Sequence, residues 1–226
     1  MRIRVKELLS TGLVVGIGMA TMGCTDTGST IFIRQIQLPD AEDNCTVRPD
    51  PAATYTAAGF LDTSLGGGAY EAAMLVGNQM SRRGDEDTLR PETSRVQFYE
   101  AELEVFDYAG GLLREYTMPV SGFADPGSGT EPGWGVVGAT IVDSDSAGAA
   151  SGGGGQTVIA RVTIYGVTLG GEEVESAPWD FPIYVCSGCL ACIEPDSCDD
   201  DRIQVCNLGQ DISPDCRDTN PNHACN

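Results

Sequence analysis

Five cysteines crowd into CSGCLACIEPDSCDDDRIQVC, the stretch from Cys186 to Cys206. Thiols at that density bind metal, exchange electrons or staple a chain, and their spacing separates the three. Cys186, Cys189 and Cys192 keep the C-x2-C-x2-C rhythm of bacterial ferredoxins, where the next ligand follows after three residues and precedes proline. Here Cys198 follows after five and precedes Asp199. A zinc site would find thiolates enough but one imidazole, His223. A redox CSGC belongs at a helix start after a strand, whereas EPDSCDDDR has no helical pattern. Structural disulfides are the chemistry that remains, and the residues predict neither a metal nor a cofactor.

Other reactive constellations are absent or uninformative. No G-x-S-x-G occurs, and a Ser-His-Asp triad would have to recruit His223, three residues from the end. Lys6 is the only lysine, so past the leader there is no P-loop, Schiff-base or general-base lysine. DSDSAG, Asp143 to Gly148, opens like a calcium loop but puts Ala147 at the fifth position and Gly154 at the twelfth, where glutamate belongs. DSCDDD, Asp196 to Asp201, reads as a solvated acidic turn. The sequence therefore predicts no enzyme; the alternative is a glycan-acting hydrolase that works through paired carboxylates.

The compartment decides how cysteines are read. Arg2, Arg4 and Lys6 precede an apolar run from Leu8 to Met22, the pattern of an export signal. TMGC, Thr21 to Cys24, looks like the lipobox of bacterial lipoproteins, in which the cysteine is lipidated and becomes the first mature residue. Residues 1–23 are then the signal peptide and 24–30 a lipidated tether. Parity supports this over ordinary cleavage after Ala20. Nine cysteines less Cys24 leave eight that can all pair: Cys45, Cys186, Cys189, Cys192, Cys198, Cys206, Cys216 and Cys225. Seven of these form the tail, so Cys45 must bridge to a tail cysteine. Cys186 or Cys189, nearest the last strand, is the expected partner.

Charge narrows the partners. The chain carries 13 basic and 33 acidic residues; without the signal, 10 face 32. Nucleic-acid binding requires basic surface, and the one basic pair, Arg82 and Arg83, runs into Asp85, Glu86 and Asp87.

The elements that would position these residues are strands. In QFYEAELEVFD, Tyr99, Ala101, Leu103 and Val105 alternate with Glu100, Glu102 and Glu104, giving one buried and one wet face. Ala109, Gly110 and Gly111 turn the chain into LLREYTMPV, a hairpin. TVIARVTIYGVTL turns at Gly170 and Gly171 and returns as EVESAPWDFPIYV, whose Pro178 and Pro182 suggest an edge or bulge. TIFIRQIQL, Cys45 to Arg48, AATYTAAGFLD, AYEAAMLVGNQM and WGVVGATIV add further strands, with a short helix as the alternative for AYEAAMLVG. GAASGGGG, Gly148 to Gly155, reads as a flexible loop. The expected architecture is all-β: a single antiparallel β-sandwich, Ig-like or similar, over 31–185, with a disulfide-stapled tail over 186–226.

The lipobox-like cysteine, the early Cys45, YEAAMLVGNQM, LRPETSRVQFYEAELEV and FPIYVCSGCLAC together resemble uncharacterised outer-membrane lipoproteins of myxobacteria. The resemblance implies an address, the outer membrane or cell surface of a Gram-negative envelope, and no particular chemistry. The expected role is a non-catalytic envelope protein. Its sandwich would be held to the membrane by the lipid anchor and would present a surface to a protein or polysaccharide partner, or contribute to envelope architecture.

Overall fold

Alternation of apolar and acidic side chains suits a strand buried on one face, and the computed structural model forms a strand over Val96–Asp107 (β5). It describes residues 29–65, 68–85, 87–152, 154–190, 206–207 and 209–211. Ala101, Leu103 and Val105 are fully buried, as the pattern predicts, but Tyr99 is 42% exposed and Phe98 takes the core position instead. β5 carries an extra residue between Phe98 and Glu100 relative to its neighbour β8 (Gln156–Thr168). Such a bulge inverts the alternation upstream of it.

The remaining strands are β1 (Ile31–Gln37), β2 (Tyr55–Thr56), β3 (Gly59–Asp62), β4 (Tyr70–Asn78), β6 (Leu112–Ala124), β7 (Gly133–Val142), β9 (Glu173–Glu175) and β10 (Trp179–Cys186). They form two sheets, β2-β1-β4-β7 and β3-β10-β8-β5-β6, with β9 also paired to β8. Their inner faces share one apolar core. Ile33, Met74, Val76 and Ile141 from the smaller sheet meet Phe98, Leu103, Ile164 and Ile183 from the larger. The all-β sandwich is thus present. Its pairings are antiparallel except for β3 with β10, which run parallel.

Both predicted hairpins form. Between β5 and β6, Gly110 adopts a φ of 87°, and the Asp107 carboxylate accepts from the Gly111 amide at 2.7 Å. The second hairpin returns in two pieces. β9 pairs with Tyr165–Val167 and β10 with Gln156–Val162. In the break, Ser176 donates its amide to Ile164 and accepts the Ile164 amide on its hydroxyl, both at 2.9 Å. Pro178 lies in this break. Pro182 precedes the part of β10 that β3 covers, Ile183–Cys186, so neither proline interrupts a two-sided ladder.

AYEAAMLVG is a strand, as expected, and not the alternative helix, because its neighbours β1 and β7 cover both edges and tertiary pairing overrides the helix preference of Ala and Met. Three local expectations are corrected. AATYTAAGFLD splits into β2 and β3, which join different sheets. Cys45–Arg48 is no strand; one bridge, Asp40 to Thr46, closes that loop after a 3-10 turn at Ala41–Asp43. The first half of GAASGGGG, read as a flexible loop over Gly148 to Gly155, belongs instead to a helix, α1 (Ser144–Ser151), capped by Asp143. The Asp143 carboxylate accepts from the Ser146 amide at the helix start. Ala147 and Ala150 are buried, which their small size permits in so short a helix.

Glycines close one corner of the sandwich. β6 and β7 end their respective sheets, and here their backbones approach each other without side chains between. A Cβ on Gly122 would stand 2.6 Å from the Val136 carbonyl oxygen, and one on Gly135 would overlap the Phe123 carbonyl oxygen. Farther along, the Tyr116 hydroxyl donates to the Thr140 carbonyl at 2.8 Å. Beside the corner, the buried side chain of Asn78 donates to the carbonyls of Ser94 and Ala124, tying loop and sheets together.

Candidate functional site

Cys186 and Cys189 stand at the end of the sandwich near β3. Cys186, the last residue of β10, is bonded to Cys189, and Gly188 takes a φ of 86° in the turn between them. The carboxylate of Asp62, at the end of β3, gathers that turn: it accepts the amides of Gly188 at 2.7 Å and Leu190 at 2.8 Å, and the amide and hydroxyl of Ser64. Burial raises the Asp62 pKa, but these donors outweigh it and hold the group below the usual carboxylate range. Among the described residues, Asp62, Cys186 and Cys189 are the one group with ligand atoms close enough to share an ion, within 4.8 Å of one another. With the sulfurs bonded to each other and both carboxylate oxygens accepting hydrogen bonds, the group serves as a turn lock.

Cys45 is bonded to Cys206. The expected bridge from the early cysteine to the tail is present, but its partner is not Cys186 or Cys189. The reason is layering. Cys45 lies on the connection from β1 to β2 in the smaller sheet, whereas Cys186 ends a strand of the larger one. Cys24, Cys192, Cys198, Cys216, Cys225 and the acidic run 196–201 lie outside the described residues.

After Cys206 the chain forms a strap across the end of the core. Asp62 donates its amide to the Gly209 carbonyl at 2.7 Å, and Asp211 donates to the Phe60 carbonyl at 3.0 Å. The Gln210 side chain accepts the Glu71 amide at 2.8 Å and donates to the Glu71 carbonyl at 2.7 Å, as a neighbouring peptide would. The Asp211 carboxylate accepts the Phe60 amide at 2.9 Å and the hydroxyl of fully buried Tyr70 at 2.8 Å. Nothing in the sequence marks these three residues. Their role comes from the disulfide that brings them to β3 and β4.

Burial raises the Asp211 pKa despite its donors. The folded chain therefore holds this proton more tightly than the unfolded one. Its stabilising contribution is fully present below the unfolded value of 3.8 and is lost as pH rises through the folded value. Asp62 has the opposite sign, contributing above 3.8 and losing its contribution as pH falls through its lowered value. Asp211→Asn should gain stability relative to wild type as pH rises from 3.8 through the raised value, and Asp62→Asn should lose it as pH rises from the lowered value to 3.8. Urea unfolding of both variants and wild type on both sides of 3.8 checks the two signs.

The second feature is the outer face of the larger sheet, where the register lines up side chains across four strands. One row runs Pro182, Ile159, Phe106, Leu112; the next runs Asp180, Arg161, Glu104, Glu115; a third pairs Thr163 with Glu102 and Thr117. Arg161 binds Asp180 through two nitrogens, at 2.7 and 3.0 Å, and its guanidinium stands 5.0 Å from the Phe106 ring centre. The Tyr165 hydroxyl donates to Glu102 at 2.7 Å, and this bond, with burial, pushes its pKa up to about 12. Tyr99, turned outward by the bulge, donates to Glu173 at 2.9 Å. Phe60 and Tyr184 meet edge to face at the β3 side, with ring centres 6.1 Å apart. The predicted wet face of Glu100, Glu102 and Glu104 is real, and it is also aromatic. Sequence reading missed the aromatic part because it needs the register of β8 and β10 against β5.

Comparison with family models, curated proteins and solved structures returns no match.

Proposed function

We propose that this chain is a non-catalytic, lipid-anchored protein of the cell envelope whose larger sheet binds polysaccharide through its outer face. The observation that carries the reading is the set of tyrosines fixed by glutamates on that face, Tyr165 on Glu102 and Tyr99 on Glu173. Sugar rings present apolar faces that stack on aromatic rings and hydroxyls that donate to carboxylates, and both complements stand here side by side. An open sheet face suits a chain of sugars more than a single small molecule, which binds in concave pockets. The hydrolase alternative gains no support, because its chemistry places two carboxylates on opposite sides of the scissile bond. On this face the carboxylates point from one side of one sheet.

Titration with neutral polysaccharides tests the reading. Tyr165→Ala and Glu102→Gln should each weaken binding by about tenfold, the loss of one central contact, while leaving the melting transition near that of wild type. An absence of binding to any neutral glycan, or binding unaffected by these changes, would overturn it. The anchor has its own test. Intact mass of detergent-extracted protein should show acyl groups on Cys24, and Cys24→Ala should release the chain from the membrane fraction.

A further inference from the structure

β3 ends the larger sheet, and a terminal strand presents backbone donors and acceptors to any chain that can pair with it. Here that edge is already filled, by three consecutive residues of the same chain. Gly209 and Asp211 supply partners for the Asp62 amide, the Phe60 carbonyl and the Phe60 amide. Gln210 crosses to the other sheet and takes both polar groups of Glu71. The contacts are specific as well as numerous. Gly209 has a φ of 81°, and a Cβ there would stand 2.8 Å from the Asp62 carbonyl oxygen. Asp211 reaches a tyrosine hydroxyl that is otherwise sealed in the core.

What holds the three residues in place is covalent. Cys206 precedes them by three positions and is bonded to Cys45 on the opposite sheet's loop, and both cysteines are partly exposed. We infer that the β3 edge, together with Glu71 and Tyr70, is an acceptor site for the Gly-Gln-Asp segment in this left-handed turn conformation. The occupant is the chain's own strap while Cys45–Cys206 is closed and the strap of a second copy once it is open. A second copy's strap offers the same amide, carboxamide and carboxylate to the same partners. Exchange of one element between copies requires no new contact. Opening is a two-electron step. A thiolate of a dithiol reductant attacks one sulfur, the other leaves as thiolate and takes a proton, and the second reductant thiol resolves the mixed disulfide. The chain gains two thiols and the reductant becomes a disulfide.

The test uses the full chain with Cys45→Ser and Cys206→Ser, which leaves Cys186–Cys189 intact, and reads amide hydrogen exchange. In dilute solution the amides of Phe60, Asp62 and Glu71 should lose more protection than those of β5 and β8, which fall only with the global stability. An added peptide of residues 206–211 with Cys206→Ser should restore it, and the same peptide with Asp211→Ala should not. Raising the protein concentration should restore protection with the appearance of a dimer. The inference fails if these amides stay protected in the dilute monomer, or if neither peptide nor concentration restores them. Should the double variant fail to fold, Gln210→Ala with Asp211→Ala in the oxidised chain replaces it: the same amides should lose protection and the unsubstituted peptide should restore it, and the inference fails if either does not occur.

Discussion

Replacing Cys45 and Cys206 together by serine is expected to lower the stability of the whole sandwich by about 5 kcal/mol, the chain-entropy value for so long a loop. The bond spans 161 positions and encloses every strand from β2 to β10, so the unfolded chain gains freedom throughout the body. The Cys186–Cys189 bond spans only 3 positions. Its loss should cost about 2 kcal/mol in the same model. Chemical denaturation of the two paired serine variants checks the ratio. Equal losses would mean that the stabilisation resides in local contacts and not in the constraint on the unfolded chain.

Gly135→Ala is expected to cost about 3 kcal/mol, at the upper end of what one inserted methyl group does in a packed site. The new Cβ would overlap the carbonyl oxygen of Phe123. Backbone, unlike a side chain, has no rotamer by which to move aside. The corner between β6 and β7 must open, which also strains the Tyr116 bond to Thr140. Gly138→Ala, on the same strand with nothing within 4 Å of its Cβ, is the control and should be near neutral. Thermal or urea unfolding of both decides the matter, and equal effects would sink the argument.

Alternation and turn chemistry carry most of the fold. Ala101, Leu103 and Val105 are legible as buried because strand geometry leaves no other arrangement, and Gly110 is legible as a turn because few other residues tolerate its φ of 87°. Tyr99 is misplaced by the same logic, since a bulge is one extra residue opposite another strand and cannot be seen in one strand alone. α1 is hidden by its small residues, which carry no apolar stripe. Cysteine parity requires a bridge from Cys45 to the tail, yet the choice of Cys206 depends on which sheet each cysteine flanks. Of the candidate site, the glutamates of β5 are readable and their tyrosines are not, because Tyr165 and Glu173 reach them only through the pairing of β8 and β9.

The same long covalent loop sets how the molecule bears load. A pull on the amino terminus reaches the body at Ile31 and acts first on the β1 ladder with β4. If that ladder yields, unravelling from this end stops at Cys45, where the chain is bonded to Cys206. At about 3.3–3.6 Å per extended residue, the stretch from Ile31 to that bond pays out roughly 50 Å. β3 to β10 lie inside the closed loop. Under a force between the amino terminus and a point beyond Cys206 the loop carries no load, so extension from this end has a fixed limit and the outer face is intact when the limit is reached.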